Sequence, residues 1–283
     1  MDQDASSSGM MPKIIVGIAV FIALYYLYVF LTSNNGLQGS IALKDVSSAS
    51  PSSAYTTTGD ALPAIYEGGE FSINTWLYIN DFSVNRGQNK HVLNLGGSSF
   101  STLLLFLGPY KNSLSVRVQT SSPSPSGSKS GDSYLSSGDE VDLTTNSLTS
   151  MFKTLQSGSS LLDTTTPCDI SMVDMQKWVQ ATIVLNNKTC DVYIDGKLAR
   201  SCVLPSFFRV DKSNFQLKQC DYNGFGGFVS NTSVYNYSLN PEQVWRLYMA
   251  GPGPQYTFSQ YIASLFNPNA NMSFGYPKQN ITG

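Results

Sequence analysis

Four cysteines are the residues whose type and spacing most directly predict chemistry in this chain of 283 residues. They lie close together in the sequence, at Cys168, Cys190, Cys202 and Cys220. Such clustering favours two disulfide bridges, with four buried thiols in a reducing compartment as the alternative. Zinc sites of four cysteines normally contain a C-x-x-C pair, which this sequence lacks, and its single histidine, His91, is distant in sequence. We therefore predict no metal site.

The Asp195-Gly196 dipeptide limits how these cysteines can pair. It lies between apolar residues and predicts a two-residue type I′ hairpin turn. In the register set by this turn, Cys190 faces Ser201, so a bridge from Cys190 to Cys202 would require a β-bulge. Two arrangements remain open: Cys168–Cys202 with Cys190–Cys220, or Cys168–Cys190 with Cys202–Cys220.

Groups suited to catalysis are scarce. Glycoside hydrolysis needs two carboxylates facing one bond, but no E-x-D-x-x-E run occurs, and the nearest acidic pair, Glu140 and Asp142, lacks a third acid. A serine or cysteine nucleophile usually needs a histidine base, and His91 stands at the start of an apolar strand, where a structural histidine is the more common finding. The glycines between 224 and 227 do not precede a helix, which argues against a phosphate-binding loop. We predict that the protein is not an enzyme and needs no cofactor.

The cysteine-bearing region has the residue pattern of antiparallel strands. A three-stranded meander is predicted over residues 178–185, 192–194 and 197–204. Earlier in the chain, Leu77 and Ile79 fall on one face of a strand, and Trp76 and Tyr78 fall on the other. Further short strands separated by Gly and Asn turns predict an all-β fold of two packed antiparallel sheets.

Several segments carry a resemblance to a known fold family: GEFSINTWLYIND, the Trp-led strand with DVYIDGKLARSCVLP, and SLNPEQVWRLYMAGP. Together they resemble the laminin-G/concanavalin-A-like jelly roll over roughly residues 61–251. The CDI at 168–170 and the CVLP at 202–205 resemble, more narrowly, laminin-G-like proteins of large DNA viruses of algae and protists. Members of that subset commonly also carry an N-terminal hydrophobic segment.

The resemblance implies specific site residues. It favours the arrangement Cys168–Cys202 with Cys190–Cys220, because the viral relatives share the two cysteine segments. Laminin-G and pentraxin relatives bind Ca²⁺ through oxygen ligands on rim loops and hold sugars on aromatic rings. The matching rim cluster here is Asp221, Tyr222 and Asn223, although these residue types are also ordinary in loops.

Residues 14–31 form an uncharged apolar run that is long enough for a membrane-spanning helix. A cleaved signal peptide fits less well, because the run exceeds the usual hydrophobic region and no small-x-small cleavage site follows. We predict a polar tail (1–13), one transmembrane helix (14–31) and a Ser/Thr-rich stalk (32–60). Lys13 alone favours a cytoplasmic N-terminus, which leaves the orientation open.

Two regions depart from the strand pattern. A Ser/Gly-rich insert at 120–166 is predicted either to contact neighbouring subunits or to be a tolerated surface loop. The aromatic-rich tail at 252–283 is predicted to pack on its own domain, with docking on a partner as the alternative.

The charge and the glycosylation sequons of the chain limit the kinds of partner that it is expected to have. Only 13% of residues are charged and the net charge is −2, so there is no basic surface for nucleic acid. Five sequons for N-glycosylation suit exposure to a glycosylating lumen, although Ser/Thr-rich sequences also produce them by chance. They lie at Asn187, Asn231, Asn236, Asn271 and Asn280.

Two functional hypotheses follow. The first is a non-enzymatic minor capsid protein of a large DNA virus, at the interface of the internal virion membrane and the capsid. It would tether the membrane to the shell by contacts with capsid or other virion proteins, since anchoring raises its effective concentration. The alternative is a membrane-anchored lectin or adhesin at the cell surface that binds glycans.

Overall fold

The computed structural model describes residues 10–33, 40–43, 45–120, 143–156 and 168–253. Its helices are α1 (Met10–Ser33), α2 (Thr145–Lys153) and α3 (Pro241–Ala250). Its strands are β1 (Ser40–Leu43), β2 (Ser47–Ser48), β3 (Tyr55–Thr58), β4 (Glu70–Asp81), β5 (Lys90–Gly96), β6 (Ser101–Leu107), β7 (Leu114–Val118), β8 (Trp178–Asn186), β9 (Thr189–Ile194), β10 (Lys197–Val203), β11 (Gln216–Gln219) and β12 (Gly226–Tyr235). Two short 3₁₀ turns cover Pro51–Ser53 and Gly59–Ala61.

These strands form two antiparallel sheets. The larger sheet has the order β1-β12-β4-β8-β9-β10, with β2 also paired to β12, and the smaller has the order β3-β11-β5-β6-β7. Side chains from both sheets, such as Phe71 and Ile183 from the larger and Leu95 and Val116 from the smaller, belong to one buried apolar cluster. The predicted all-β sandwich of two antiparallel sheets is confirmed.

Strand β4 lies near the middle of the larger sheet and follows its predicted alternation. Phe71, Ile73 and Leu77 belong to the core between the sheets. The intervening Trp76 and Tyr78 make aromatic contacts on the opposite, outer face. The strand pairs with β8 without interruption, so its two faces stay distinct along the whole contact.

The β9–β10 hairpin has the predicted turn and an unpredicted bulge. Asp195 and Gly196 have φ values of 50° and 75°, as a type I′ turn requires. The register then shifts between Leu198 and Arg200, because an extra residue is inserted there. As a result Cys202, and not Ser201, lies opposite Cys190, which corrects the predicted register.

The segment predicted as a stalk contributes strands to the sandwich. Strands β1 and β2 pair with β12, and β3 pairs with β11. Strands β2 and β3 consist largely of Ser and Thr and lack an apolar alternation, and β1 is only four residues long. Backbone hydrogen bonds hold an edge strand even without such an alternation. The sandwich therefore begins before residue 61, at β1.

Part of the predicted insert is also ordered structure. Helix α2 places Leu148 and Phe152 against Leu104 and Phe106, which lie on the outer face of β6. This second, smaller core explains why β6 is buried on both faces. The rest of the insert, at 121–142 and 157–166, and the tail from residue 254 lie outside the described residues.

Helix α1 contains the predicted membrane span. Between Lys13 and Tyr28 its side chains are exposed. Across the described ranges, no helix combines the length and apolarity needed to cross a membrane. The anchor at 14–31 stays a prediction.

A buried ion pair fastens the segment before β8 to the smaller sheet. Arg117 in β7 donates two hydrogen bonds to the carboxylate of Asp169, at 2.6 and 3.1 Å. Both side chains are less than a tenth exposed. The next residue, Ile170, bridges to Leu114 of the same strand. The pair thus positions the segment that leads into β8.

We expect Asp169→Asn to lower the free energy of unfolding by about 3 kcal/mol or more, because it leaves the Arg117 charge buried without a counter-charge. Urea denaturation measures this loss. The matched control is Asp174→Asn, which removes the exposed partner of Lys177 and should cost at most about 1 kcal/mol. Equal effects of the two substitutions would contradict the assigned role.

Candidate functional site

Three aromatic side chains form a row across the outer face of the larger sheet. Tyr78 in β4 lies opposite Trp178 in β8 and opposite Phe228 in β12. The ring centroids are 5.5 Å apart for Tyr78–Trp178 and 6.1 Å apart for Tyr78–Phe228, with interplanar angles of 57° and 56°. All three side chains are partly exposed. This aromatic row (Trp178, Tyr78, Phe228) is our candidate binding site.

Cross-strand register creates the row. Residues directly opposite each other in paired strands point to the same face, at strand spacings of about 4.8 Å. The row therefore spans about 10 Å, over three neighbouring strands. Because the rings are tilted against one another, they form a ridged apolar surface and not one flat plane.

A charged cluster borders the row at Trp178. The ammonium of the preceding Lys177 lies 2.5 Å from a carboxylate oxygen of Asp174 and 3.6 Å from one of Asp195. Hydrogen bonding to Asp174 and attraction to both carboxylates raise the pKa of Lys177. The site thus combines an apolar surface with a polar, hydrogen-bonding margin, as ligand sites generally do.

A buried amide network holds the strands beneath the row in register. The Asn74 side chain donates to the carbonyl of Asn231 in β12, and its Oδ1 accepts from Gln180 and Thr182 in β8. The distances are 3.1, 2.8 and 3.0 Å. A single side chain therefore links the same three strands that carry the row.

Helix α3 covers the adjoining part of the outer face. Asn240 caps its start in a capping box with Gln243, and Pro241 is its first residue. The ring of Tyr248 stacks on Trp76 at 5.8 Å, and Trp76 is only 3% exposed. The helix thus buries Trp76 but leaves its neighbour Tyr78 partly exposed.

The residues of the predicted calcium rim make contacts within the protein. Asn223 accepts a hydrogen bond from the backbone of His91 and donates to the carbonyls of Asn89 and Phe152. Tyr222 stacks on Phe152 at 5.0 Å. Asp221 lies 3.3 Å from the ammonium of Lys218. These contacts engage all three residues within the protein, and calcium binding at them stays a prediction.

His91 belongs to the same structural cluster. It is fully buried, and its Nδ1 accepts a hydrogen bond from the backbone of Asp221 at 3.1 Å. Its ring packs edge-on against Phe152 and Tyr222. Burial lowers the pKa of His91 to about 3, so the ring is neutral and enclosed by protein.

The structure joins Cys168 to Cys202 in a disulfide, with Cα atoms 5.8 Å apart. Cys190 and Cys220 are separate buried thiols, which differs from the second bridge that the resemblance favours. Cys190 lies in β9 of the larger sheet, and Cys220 follows β11, where its backbone nitrogen donates a hydrogen bond to the carbonyl of Val92 in the smaller sheet.

A cavity of about 560 Å³ lies at the β8–β9 turn, at the end of β8 away from the row. Its lining residues are Asn186, Asn187, Lys188, Thr189, Asp191 and Phe207. The Lys188 ammonium lies 4.9 Å from the centre of the Phe207 ring. This cavity is a second surface on which a ligand could rest, and it serves below as a comparison.

The sequons differ sharply in their environment. Asn187 and Asn236 are exposed. Asn231 is 6% exposed, and its side-chain nitrogen donates to the carbonyl of Gly251 at 3.0 Å. The sequons that lie outside the described residues are Asn271 and Asn280.

Sequence reasoning placed Tyr78 and Trp178 in strands but missed the row. Its one detectable signal was that aromatic residues at outward positions occur in both strands. The pairing of strands so distant in sequence could not be deduced from local patterns.

We expect glycans at Asn187 and Asn236, and none at Asn231, when the chain passes through a glycosylating lumen. The acceptor nitrogen of Asn231 is buried and hydrogen-bonded in the fold. Mass spectrometry of peptides after enzymatic deglycosylation in heavy-oxygen water reads out each site. A glycan on Asn231 in folded protein would contradict its assigned place.

Acid should destabilise the fold partly through His91. Between pH 6.5 and about 3 the unfolded chain binds a proton at His91 that the folded chain does not, so stability falls as pH falls. Urea denaturation at pH 7, 5 and 4 should show a shallower loss in His91→Gln than in the unmodified chain. Both proteins contain the same carboxylates, so parallel curves would rule out this contribution.

No protein family matches this chain, and no curated protein matches it. Among solved structures, it is similar to the botulinum neurotoxin serotype G binding domain, with a TM-score of 0.45 and 14% identity over 76% of this chain and 47% of that one. It is also similar to the ligand binding domain of botulinum neurotoxin serotype D in complex with N-acetylneuraminic acid, with a TM-score of 0.44 and 14% identity over 76% and 47%. A third is the binding domain of Paraclostridial mosquitocidal protein 1, with a TM-score of 0.41 and 16% identity over 74% and 45%. The chain spans less than half the length of each of these structures.

Proposed function

We propose that this protein is a non-enzymatic binding module that recognises cell-surface glycans on its aromatic row. The observation that carries the proposal is the row itself, with Trp178, Tyr78 and Phe228 side by side and partly exposed on a sheet face. Apolar surface of this kind, bordered by polar groups, is typical of a recognition site.

Sugars match the chemistry of the row. A pyranose ring has an apolar C–H face that packs on an aromatic ring, and hydroxyl groups around it that hydrogen-bond to a polar margin. Lys177, Asp174 and Asp195 supply such a margin beside Trp178. The length of about 10 Å accommodates more than one linked sugar ring. The tilt of the rings suits a flexible glycan chain better than a flat ordered surface.

Single-stranded nucleic acids also stack on aromatic rows, but their binding depends on a positively charged groove. The chain has a net charge of −2. The lysine beside the row is already paired with two carboxylates. Charge therefore favours a neutral or weakly charged ligand such as a glycan.

The proposal that the protein binds its ligand without catalysing a reaction rests on the position of His91. A general base must reach its substrate, whereas His91 is enclosed by Phe152 and Tyr222. Its low pKa, about 3, also lies far from the range that suits a base near neutral pH.

The virion hypothesis stays a prediction from sequence. Neither a capsid partner nor membrane anchoring by residues 14–31 gains an observation from the described residues. Anchoring at a cell surface is compatible with glycan recognition, because many weakly binding copies on one membrane would act together.

We expect Trp178→Ala to weaken glycan binding roughly tenfold or more, because it removes the largest ring of the row. A glycan array probed with the full chain in mild detergent identifies ligands, and titration of one ligand gives the affinities. Circular dichroism and thermal unfolding check that the variant is folded.

Phe207→Ala is the matched control, since it removes an exposed aromatic ring at the cavity away from the row. It should leave the affinity unchanged. Loss of binding in Phe207→Ala, with Trp178→Ala unaffected, would move the site to the cavity and overturn the assignment to the row. Absence of binding to any glycan by the folded full chain would overturn the proposed function.

A further inference from the structure

Three cysteine sulfurs converge inside the sandwich. The sulfurs of Cys168, Cys190 and Cys202 all lie within 4.8 Å of one another. The three residues are 0%, 0% and 4% exposed, respectively. The sulfurs of Cys168 and Cys202 lie 3.8 and 3.3 Å from the carbonyl oxygen of Cys190. The disulfide between Cys168 and Cys202 therefore has the thiol of Cys190 as its immediate neighbour.

The bulge in β10 produces this arrangement. Without the register shift between Leu198 and Arg200, Cys202 would point to the opposite face from Cys190. With the shift, the two cysteines are direct cross-strand partners. Opposed residues in an antiparallel pair have Cα atoms about 4.5–5.5 Å apart. This separation falls within the range of about 4.4–6.8 Å that disulfides span.

We propose that Cys202 is shared between two alternative bridges, Cys168–Cys202 and Cys190–Cys202, and that the folded protein interconverts them by thiol–disulfide exchange. The inference is independent of glycan binding, because it concerns a different side chain set on different strands.

The exchange balances without an external oxidant or reductant. Cys190 loses its proton, and its thiolate attacks the sulfur of Cys202. The Cys168–Cys202 bond breaks, its electron pair remains on the sulfur of Cys168, and that thiolate takes up a proton. One disulfide and one thiol are present before and after the step.

The two bridges have different structural consequences. Cys168 precedes Ile170, which is bridged to β7 of the smaller sheet, so the Cys168–Cys202 bond ties the smaller sheet to β10 of the larger. A Cys190–Cys202 bond ties β9 to β10 within one sheet. Exchange thus removes a cross-sheet link, while the Asp169–Arg117 ion pair and the backbone bridge between Ile170 and Leu114 still hold that segment to the smaller sheet.

A metal ion bound by the three sulfurs fits this place less well than a disulfide and a thiol do. A site with three thiolates around a monovalent ion would keep two net negative charges in a fully buried place. Divalent zinc would need a fourth ligand. Among the described residues, the group of metal-ligating side chains at this place consists of the three cysteines alone.

The experiment maps the bridges in the full chain, kept native in mild detergent at pH 7, 8 and 9. Samples taken over time are blocked with N-ethylmaleimide in denaturant at pH 6 and digested with trypsin without reduction. Cleavage after Lys177, Lys188 and Arg200 separates the three cysteines, so mass spectrometry can quantify each linked pair.

We expect both linked pairs in the unmodified chain. Burial raises the pKa of Cys190 to about 12, so the approach to equilibrium should accelerate roughly tenfold per pH unit. With glutathione disulfide added as the oxidant, Cys168→Ser should form the Cys190–Cys202 bridge, and Cys190→Ser should keep Cys168–Cys202 alone. Cys220→Ser, which alters a thiol outside the group, should behave as the unmodified chain does.

Three results would overturn the proposal. One is a Cys168–Cys202 bridge that persists as the single species at pH 9. Another is a folded Cys168→Ser protein in which Cys190 and Cys202 both remain free thiols. The third is a purified chain whose three cysteines are all reduced and hold a zinc or copper ion, measured by elemental analysis. None of these results bears on binding at the aromatic row.

Discussion

The uninterrupted pairing of β4 with β8 is the constraint on which the rest of the sandwich depends. Nine consecutive residue pairs run from Glu70–Asn186 to Tyr78–Trp178 without a shift. A slip of one residue would turn the core side chains of β4 outward and its polar ones inward. Asn74 makes such a slip costly, because its buried amide would lose partners on both neighbouring strands.

This fixed register gives the outer face two different parts. At Asn74 the face is polar and buried, and its side chain makes hydrogen bonds to both neighbouring strands. At Trp76 it is covered by Tyr248 of α3. Beyond the helix, the next outward position is Tyr78, and there the sheet leaves aromatic surface partly exposed. Recognition is therefore assigned to the part of the sheet that neither the core nor the helix uses.

Whether a feature could be predicted from the sequence depended on how far apart in the chain its interacting residues lie. The Asp195-Gly196 turn is local, and it was predicted correctly because two adjacent residues determine it. The strands at 40–58 were missed, since their residues show no apolar period. The β10 bulge was missed because no residue between Leu198 and Arg200 signals it. The aromatic row was missed because it depends on pairing between β4, β8 and β12.

The bulge in β10, which the sequence prediction missed, affects the cysteine group but not the aromatic row. It acts on β10, the edge strand of the larger sheet, and brings Cys202 to face Cys190. The row lies on β12, β4 and β8, whose pairing does not involve β10. Either bridge leaves the β9–β10 ladder paired, so exchange alters the link between the sheets while the register under Tyr78 stays the same. The proposed disulfide exchange at the edge and the proposed glycan site on the sheet face thus depend on different strand pairings.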